Sequence, residues 1–274
     1  MKESLSLRFL YKTVPGRVVL KALVCPKISV IAGKYLSSGA SKWLVPYYIR
    51  KHKIDLKGIE IPRNGFSSFN AFFTRKKRQE THILENGSLI SPCDGFLTCI
   101  KIKKNLVFNV KHTTFSLEDL LKDKRLAARF YNGTALIFRL TPANYHRYCY
   151  AADGHILHSR KISGKLHCVR PIALREIPVF AQNSREYQVI RTDQFGTMVQ
   201  MEIGALLVGK ISNHVRVSGT DDHILAGSEK GYFEFGGSTI ILLFSPNAVR
   251  VREELIKNKN SDGEVSIRMG EVLS

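Results

Sequence analysis

Hydrophobic and polar positions follow two different rhythms along this chain, and the change falls near residue 88. Residues 1 to about 80 read as helical, punctuated by Pro15-Gly16, Pro26 and Pro46, where the missing proline amide favours helix starts and breaks. Within that region "SSFNAFFTRKK" predicts a short helix capped by Ser67 or Ser68, with Phe69, Phe72 and Phe73 turned inward. Beyond it the runs become short and β-rich: "SLISPCDGFLTCI", "NLVFNV", "TALIFRL", "YQVIRT", "GTMVQMEIGALLVGKI" and "STIILLF". Glycine and Asx residues separate them, as turns require. One helix is predicted among them, "SLEDLLKDKRLAARF", with Ser116 as N-cap and Asp119 at its third position. The tail after residue 250 is polar, turns at Asn260 to Gly263, and offers Val265 and Ile267 as a last strand. The pattern predicts an α+β protein: a helical, basic region over residues 1–80, then a β-rich domain over 81–274.

One strand has an unusual entrance. In "EFGGSTIILLF" two glycines and two hydroxyl residues stand directly against five large apolar side chains. A plain buried strand has no use for such a start, whereas a backbone that must be bent or cut there does.

Charge adds a partner class. The 274 residues are 44% hydrophobic and 24% charged, as in a folded globular protein, but the formal net charge is +19. Such a field favours polyanions, either nucleic acid or an anionic membrane surface. Residues 1 to 60 hold twelve Lys or Arg against three acids, and Arg75, Lys76, Lys77 and Arg78 follow. The stretch "RVVLKALVCPKISVIAGKYL" is apolar enough to touch lipid, but Lys21, Pro26, Lys27 and Lys34 interrupt it, so a spanning helix is not expected. With "KWLVPYYIRKHK", which sets Trp43, Tyr47 and Tyr48 beside cations, it suits helices lying in a membrane interface; a helical subdomain packed on the core is the other reading. The start of the chain has no signal-peptide pattern. Five cysteines without paired spacing fit a reducing compartment.

Four stretches carry functional residue types: "SPCDG" with Asp94, "TPANYHRYCY" with His146 and Arg147, "GKLHCV" with His167 beside Cys168, and the Gly236-Gly237-Ser238 junction. Together Asp, His and Ser are the parts of a triad in which an oriented imidazole takes a hydroxyl proton. No GxSxG elbow, Walker loop, dinucleotide fingerprint or HExxH occurs, and His155, His158 and His167 are spaced too loosely for a zinc motif, so no metal is expected. Nucleic-acid modules leave no signature either.

The fragments "FFTR", "SPCDG", "VKHTTFSLEDLL", "YHRY", "GKLHCVRPIAL", "NSRE", "IGALLVGKI" and "GYFEFGGSTIILLF" resemble, in order and approximate spacing, the phosphatidylserine decarboxylases, most closely the shorter bacterial members. The resemblance runs from about residue 8 to residue 250. It implies a proenzyme that cuts itself between Gly237 and Ser238. The Ser238 hydroxyl would attack the Gly237 carbonyl to give an ester. β-Elimination and hydrolysis would then leave a pyruvoyl group, the covalent cofactor, on an α chain of residues 238–274, separated from a β chain of residues 1–237. It further implies decarboxylation of phosphatidylserine to phosphatidylethanolamine, a homodimer, no nucleic-acid partner, and a peripheral place on the cytoplasmic face of the cell membrane.

The resemblance assigns Asp94 and Ser238 to the triad, and His146 to the first histidine of a YHRxH pattern. The second histidine of that pattern, the usual base, is replaced by Cys149. His167 is then the candidate to supply the missing imidazole, with His146 serving both steps as the alternative. Two other functions stay open: a pyruvoyl decarboxylase of a soluble amino acid, and an unprocessed relative that binds anionic lipid or nucleic acid.

Overall fold

The computed structural model describes residues 5–78, 87–103, 116–169, 173, 176–205, 210–214, 223–235, 238–257, 259–260 and 263–274. The predicted run "NLVFNV" and the glycines Gly236 and Gly237 lie outside the described residues.

The N-terminal region is helical, and its prolines sit at helix starts. Helices α1 (Leu5–Lys12), α2 (Val14–Leu23), α3 (Pro26–Ser37) and α4 (Leu44–His52) follow one another closely. Pro15 and Pro26 occupy first-turn positions of α2 and α3, and Pro46 is the third residue of α4, where an amide would have no intrahelical acceptor anyway. The Thr13 hydroxyl caps α2 by accepting the Gly16 amide. Helix α5 (Phe69–Phe73) is capped by Ser68, which accepts the Ala71 amide at 3.1 Å, and it buries Phe69, Phe72 and Phe73. The run from Ser116 is two helices rather than one: α6 (Leu117–Leu121) stops where Lys122 turns left-handed at φ 51°, and Asp123 caps α7 (Lys124–Ala128) by accepting the Leu126 amide. A second capping aspartate inside an otherwise helical pattern is the local reason for the break.

Eight strands form the main sheet in the order β11-β1-β2-β10-β6-β5-β4-β8, with every neighbouring pair antiparallel. They are β1 (Gly95–Lys101), β2 (Thr134–Leu140), β4 (Gly154–Ile162), β5 (Arg185–Thr192), β6 (Thr197–Ile203), β8 (His223–Ile224), β10 (Ser238–Phe244) and β11 (Val265–Ile267). A smaller sheet, β3-β9-β7, joins β3 (Arg147–Cys149), β9 (Glu229–Phe233) and β7 (Ile211–Asn213). The expected strands at "TALIFRL", "YQVIRT", "STIILLF" and Val265–Ile267 are present, and the run "GTMVQMEIGALLVGKI" forms β6 over its first part, while its residues 206–209 lie outside the described residues. "SLISP" contributes only a single bridge from Ile90 to Val272 before β1 begins. Strands β3, β7 and β8 are two or three residues long, too short to leave a pattern. In β4 a bulge between Ile156 and His158 breaks the alternation.

Alternation assigns the two faces of the sheet. Ser238, Ile240 and Leu242 share one face with Leu140, Phe138 and Leu136 of β2 and with Glu202 and Gln200 of β6. The small sheet covers this face: Gln200 donates to the Cys149 carbonyl and accepts the Ala151 amide. The opposite face carries Arg185 and Tyr187 under α6, where Arg185 donates to the carbonyls of Asp119 and Leu120, and Tyr187 to that of Leu121. Strands β2 and β10 are therefore buried on both faces along their whole length. That is why "TALIFRL" and "STIILLF" read as continuous apolar runs.

Tyr11, Leu20 and Val24 of the first helices belong to the same core as the sheet. A second cluster gathers Val45, Tyr48, Phe66, Phe69, Phe72 and Phe73, against which Phe235 packs. Near the chain's end, Arg139 of β2 binds Glu264 through two hydrogen bonds at 3.0 and 2.6 Å, both side chains largely out of water. This pair fastens the segment that leads into β11 to the sheet. Cutting one partner strands the other charge in the core, so Glu264→Gln is expected to lower unfolding free energy by about 3–5 kcal/mol in chemical denaturation. Arg139→Met combined with Glu264→Leu is expected to lose clearly less.

Candidate active site

One end of the main sheet gathers the predicted site residues. Ser238 opens β10 opposite Leu140, and Thr239 lies opposite Ile203. Asp94 immediately precedes β1, which flanks β2 on the other side. Two inter-strand spacings separate the backbones of Asp94 and Ser238, about 10 Å. Ser238 is wholly buried, and its hydroxyl has no hydrogen-bond partner among the described residues. An unsatisfied buried hydroxyl costs stability, and such costs concentrate where chemistry uses the group.

Asp94 is held in place from two directions. Its Oδ1 accepts the Met269 amide at 2.9 Å, and its Oδ2 accepts from the Lys77 ammonium at 3.3 Å. The glycine behind it is required by packing: a Cβ on Gly95 would stand 2.7 Å from the Arg139 carbonyl oxygen. "SPCDG" is thus more than a turn, since it delivers a carboxylate to the sheet end where β1 presses against β2.

The two candidate imidazoles occupy different walls. His146, fully buried, precedes β3, and its ring lies 3.9 Å from that of Phe73 at 33°. Phe73 in turn meets Phe235 edge-on at 5.2 Å, and Phe235 directly precedes the Gly236-Gly237 pair. His167 lies beside Tyr11, ring centroids 6.4 Å apart, and its backbone is clamped by the Asn183 side chain, which also donates to the Gly204 carbonyl just past β6. Both ring nitrogens of His167 are buried without a hydrogen-bond partner among the described residues. Burial, reinforced by Lys165, lowers its pKa to about 4, so the ring is neutral at physiological pH. Cys149, at the position of the absent histidine, points its thiol at the Ser91 and Pro92 carbonyls, and burial pushes its pKa up to about 12. As a thiolate base it is disabled.

The face of the sheet that carries Ser238 also holds a polar network that the sequence reading missed. Lys230 of β9 and Glu202 of β6, both fully buried, meet at 2.6 Å, and Asn213 of β7 joins Lys230 at 3.0 Å. Burial pushes Glu202 up and Lys230 down, while their mutual attraction opposes both shifts. The legible signal was a lone acid in the apolar run "TMVQMEI".

Beyond Asp94 the surface opens into a cleft of about 410 Å³ lined by Lys53, Lys57, Arg75, Lys77, Asp94 and Arg268, among others. A second cleft, of about 480 Å³, lies on the other side of Arg75 and includes Lys76 and Arg147. Arg75 is nearly buried, its guanidinium 5.0 Å over the Phe72 ring, and its Nε has no hydrogen-bond partner among the described residues. Both clefts are cationic, with a buried arginine between them.

Comparison with known proteins bears on what this geometry is for. A family model described as phosphatidylserine decarboxylase matches residues 69–274. A protein of Clostridium acetobutylicum named phosphatidylserine decarboxylase proenzyme 2 is 39% identical over 269 residues, covering 97% of this chain and 90% of that protein. Phosphatidylserine decarboxylase proenzymes of Ruminiclostridium cellulolyticum and Fusobacterium nucleatum are 37% and 36% identical, each over 97% of this chain and over 90% and 89% of their own lengths. A sheet end that sets a buried serine, a clamped aspartate and a buried histidine beside cationic clefts agrees with that match over nearly the whole chain: the protein is a decarboxylase of the phosphatidylserine decarboxylase family.

Proposed function

We propose that this chain converts phosphatidylserine to phosphatidylethanolamine through a pyruvoyl group that it makes from its own Ser238 by cutting the Gly237–Ser238 bond. The observation that carries the proposal is the Ser238 hydroxyl: fully buried, without a partner among the described residues, and fixed at the first position of a strand buried on both faces. That donor fits a nucleophile waiting for a neighbouring carbonyl, and the same position fits a ketone that must be kept from water. When formed, the pyruvoyl group supplies the electron sink for loss of the substrate carboxylate.

The chain's own residues have separate tasks. Ser238 supplies the nucleophile, and an imidazole takes its proton. The contact chain from His146 through Phe73 to Phe235 favours His146 as that base, with His167, one strand away at the end of β6, as the second candidate. Asp94 supports the imidazole electrostatically from the wall of the cationic cleft. Arg75, Lys77 and Arg268 suit the phosphate of an anionic headgroup entering beside it.

The substrate stays in a bilayer, and the N-terminal helices are built to meet one. No helix among the described residues is long and apolar enough to cross a membrane. Instead Leu5 and Phe9 on α1, Val14 and Val18 on α2, and Val30 and Ile31 on α3 are exposed, as are Trp43 and Tyr47 beside them. Apolar side chains between lysines suit insertion at an anionic surface, where each cation contributes roughly 1 kcal/mol.

Intact-mass analysis of purified protein is expected to show two chains, the smaller being residues 238–274 with a pyruvoyl start, and Ser238→Ala is expected to remain a single chain. One unprocessed chain of 31.0 kDa in active wild type would overturn the mechanism. Among base variants, His146→Ala is expected to slow self-cleavage at least 100-fold, within the range of lost general-base catalysis, and Cys149→Ala to leave it within a few-fold. Full processing in His146→Ala together with its loss in His167→Ala would move the role to His167. Val18→Glu combined with Ile31→Glu is expected to weaken sedimentation with phosphatidylserine vesicles about tenfold or more, while turnover of a soluble short-chain substrate is unchanged. Unaltered vesicle binding would refute the docking face.

A further inference from the structure

At the edge of the main sheet opposite β11, three side chains converge that have no part in the reaction above. His155 of β4 stands directly across from His223 of β8, and across from Arg191 of β5 on its other side. Continuing the alternation of β5 by two residues brings Asp193 onto the same face. One ligand atom from each of His155, Asp193 and His223 lies within 4.8 Å of the others. The His223 Nε2 is 4.0 Å from Asp193 Oδ2, and the two imidazoles meet edge to face with centroids 4.8 Å apart.

We propose that His155, Asp193 and His223 form a binding site for a divalent transition-metal ion of the zinc class. Two imidazoles and one carboxylate are a ligand set that such ions accept, with water completing the shell. Bond lengths of about 2.0–2.2 Å put ligand atoms of a tetrahedral site about 3.3–3.5 Å apart, so the present spacing closes by small side-chain rotations. The backbone under the ligands is already set. His155 and His223 are fixed by cross-strand pairing. Asp193 donates its amide to the Asp153 carbonyl and lies within the turn in which the Thr192 hydroxyl donates to the Gly196 carbonyl and accepts the Phe195 amide. The Asp153 carboxylate accepts the Ala226 amide and so ties the segment after β8 to the start of β4. Among the described residues, Arg191 is the cation that strand pairing places directly against the site, and it sets an upper limit on affinity rather than blocking access, because Asp193 and His223 are both exposed.

The site is remote from the decarboxylation centre. Arg185 is level with Ile203 and hence with the start of β10, whereas Thr192 lies seven residues further along β5, about 23 Å away. A metal here would act as a staple, joining the two-residue edge strand β8 to β4 and to the β5–β6 turn. None of the four motif stretches in the sequence contains these ligands.

The test uses the full-length processed protein, freed of metal by chelator and titrated with Zn²⁺ by calorimetry and with Co²⁺ by absorption. One ion per β chain is expected, with a Co²⁺ spectrum of nitrogen and oxygen ligands and weaker binding as pH falls, because protons compete for the imidazoles. His223→Gln and Asp193→Asn are each expected to weaken Zn²⁺ binding at least tenfold. Zn²⁺ is expected to raise the melting temperature of wild type but not of these variants, which should melt like wild type without metal because both positions are exposed. Absence of binding, equal binding by wild type and both variants, or a thiolate-to-cobalt charge-transfer band indicating the partly exposed Cys25, Cys99 or Cys168 would overturn the proposal.

Discussion

The arrangement depends on one constraint: a strand buried on both faces must have its start position buried with it. β10 lies between β2 and β6, with the small sheet on the face of Ser238, and is buried along its whole length. A strand in that position is anchored by hydrogen bonds to both neighbours and cannot slip by one residue without turning each side chain to the wrong face. Ser238 inherits this rigidity. A hydroxyl placed there is dry and immobile, as the proposed roles of nucleophile and then ketone carrier require.

Around that fixed point the remaining groups come from parts of the chain distant in sequence. Asp94 arrives because Gly95 lets β1 press against the β2 backbone, and Lys77 and the Met269 amide then hold its carboxylate. His146 arrives because α5 presents Phe73 to its ring. The same aromatic cluster reaches Phe235 at the edge of the Gly-Gly junction, so the helical region and the segment that leads to Ser238 share a packing unit. Cys149 illustrates how tertiary context alters a residue's chemistry. A thiol is a conceivable stand-in for a histidine on paper, but full burial among carbonyls keeps it protonated.

The buried Glu202–Lys230 pair shows a different balance. Desolvation works against both charges, and only the close contact and the Asn213 bridge compensate. Such a pair does little for net stability, but it fixes how the small sheet seats on the face that carries Ser238. The Arg139–Glu264 pair does the same for the C-terminal segment that carries β11, whose Met269 amide reaches Asp94.

Much of this was determined by the sequence alone. The helical start of the chain, its punctuation at Pro15 and Pro26, and a cap at Ser67 or Ser68 were legible, because capping and proline effects are local, and the structure makes Ser68 the cap. The central strands followed from unbroken apolar runs, and the family from motifs in order. Local rules failed where a feature was short or relational. Asp123 split one expected helix into two, and β3, β7 and β8 were too brief to show a period. The lone acid in "TMVQMEI" marked Glu202 but not its partner Lys230, and the isolation of His167 beside Tyr11 and the meeting of His155 with Asp193 and His223 had no sequence signal of their own. Each arises from strand pairing or layer packing between segments far apart in the chain, and those contacts are decided only when the whole sheet closes.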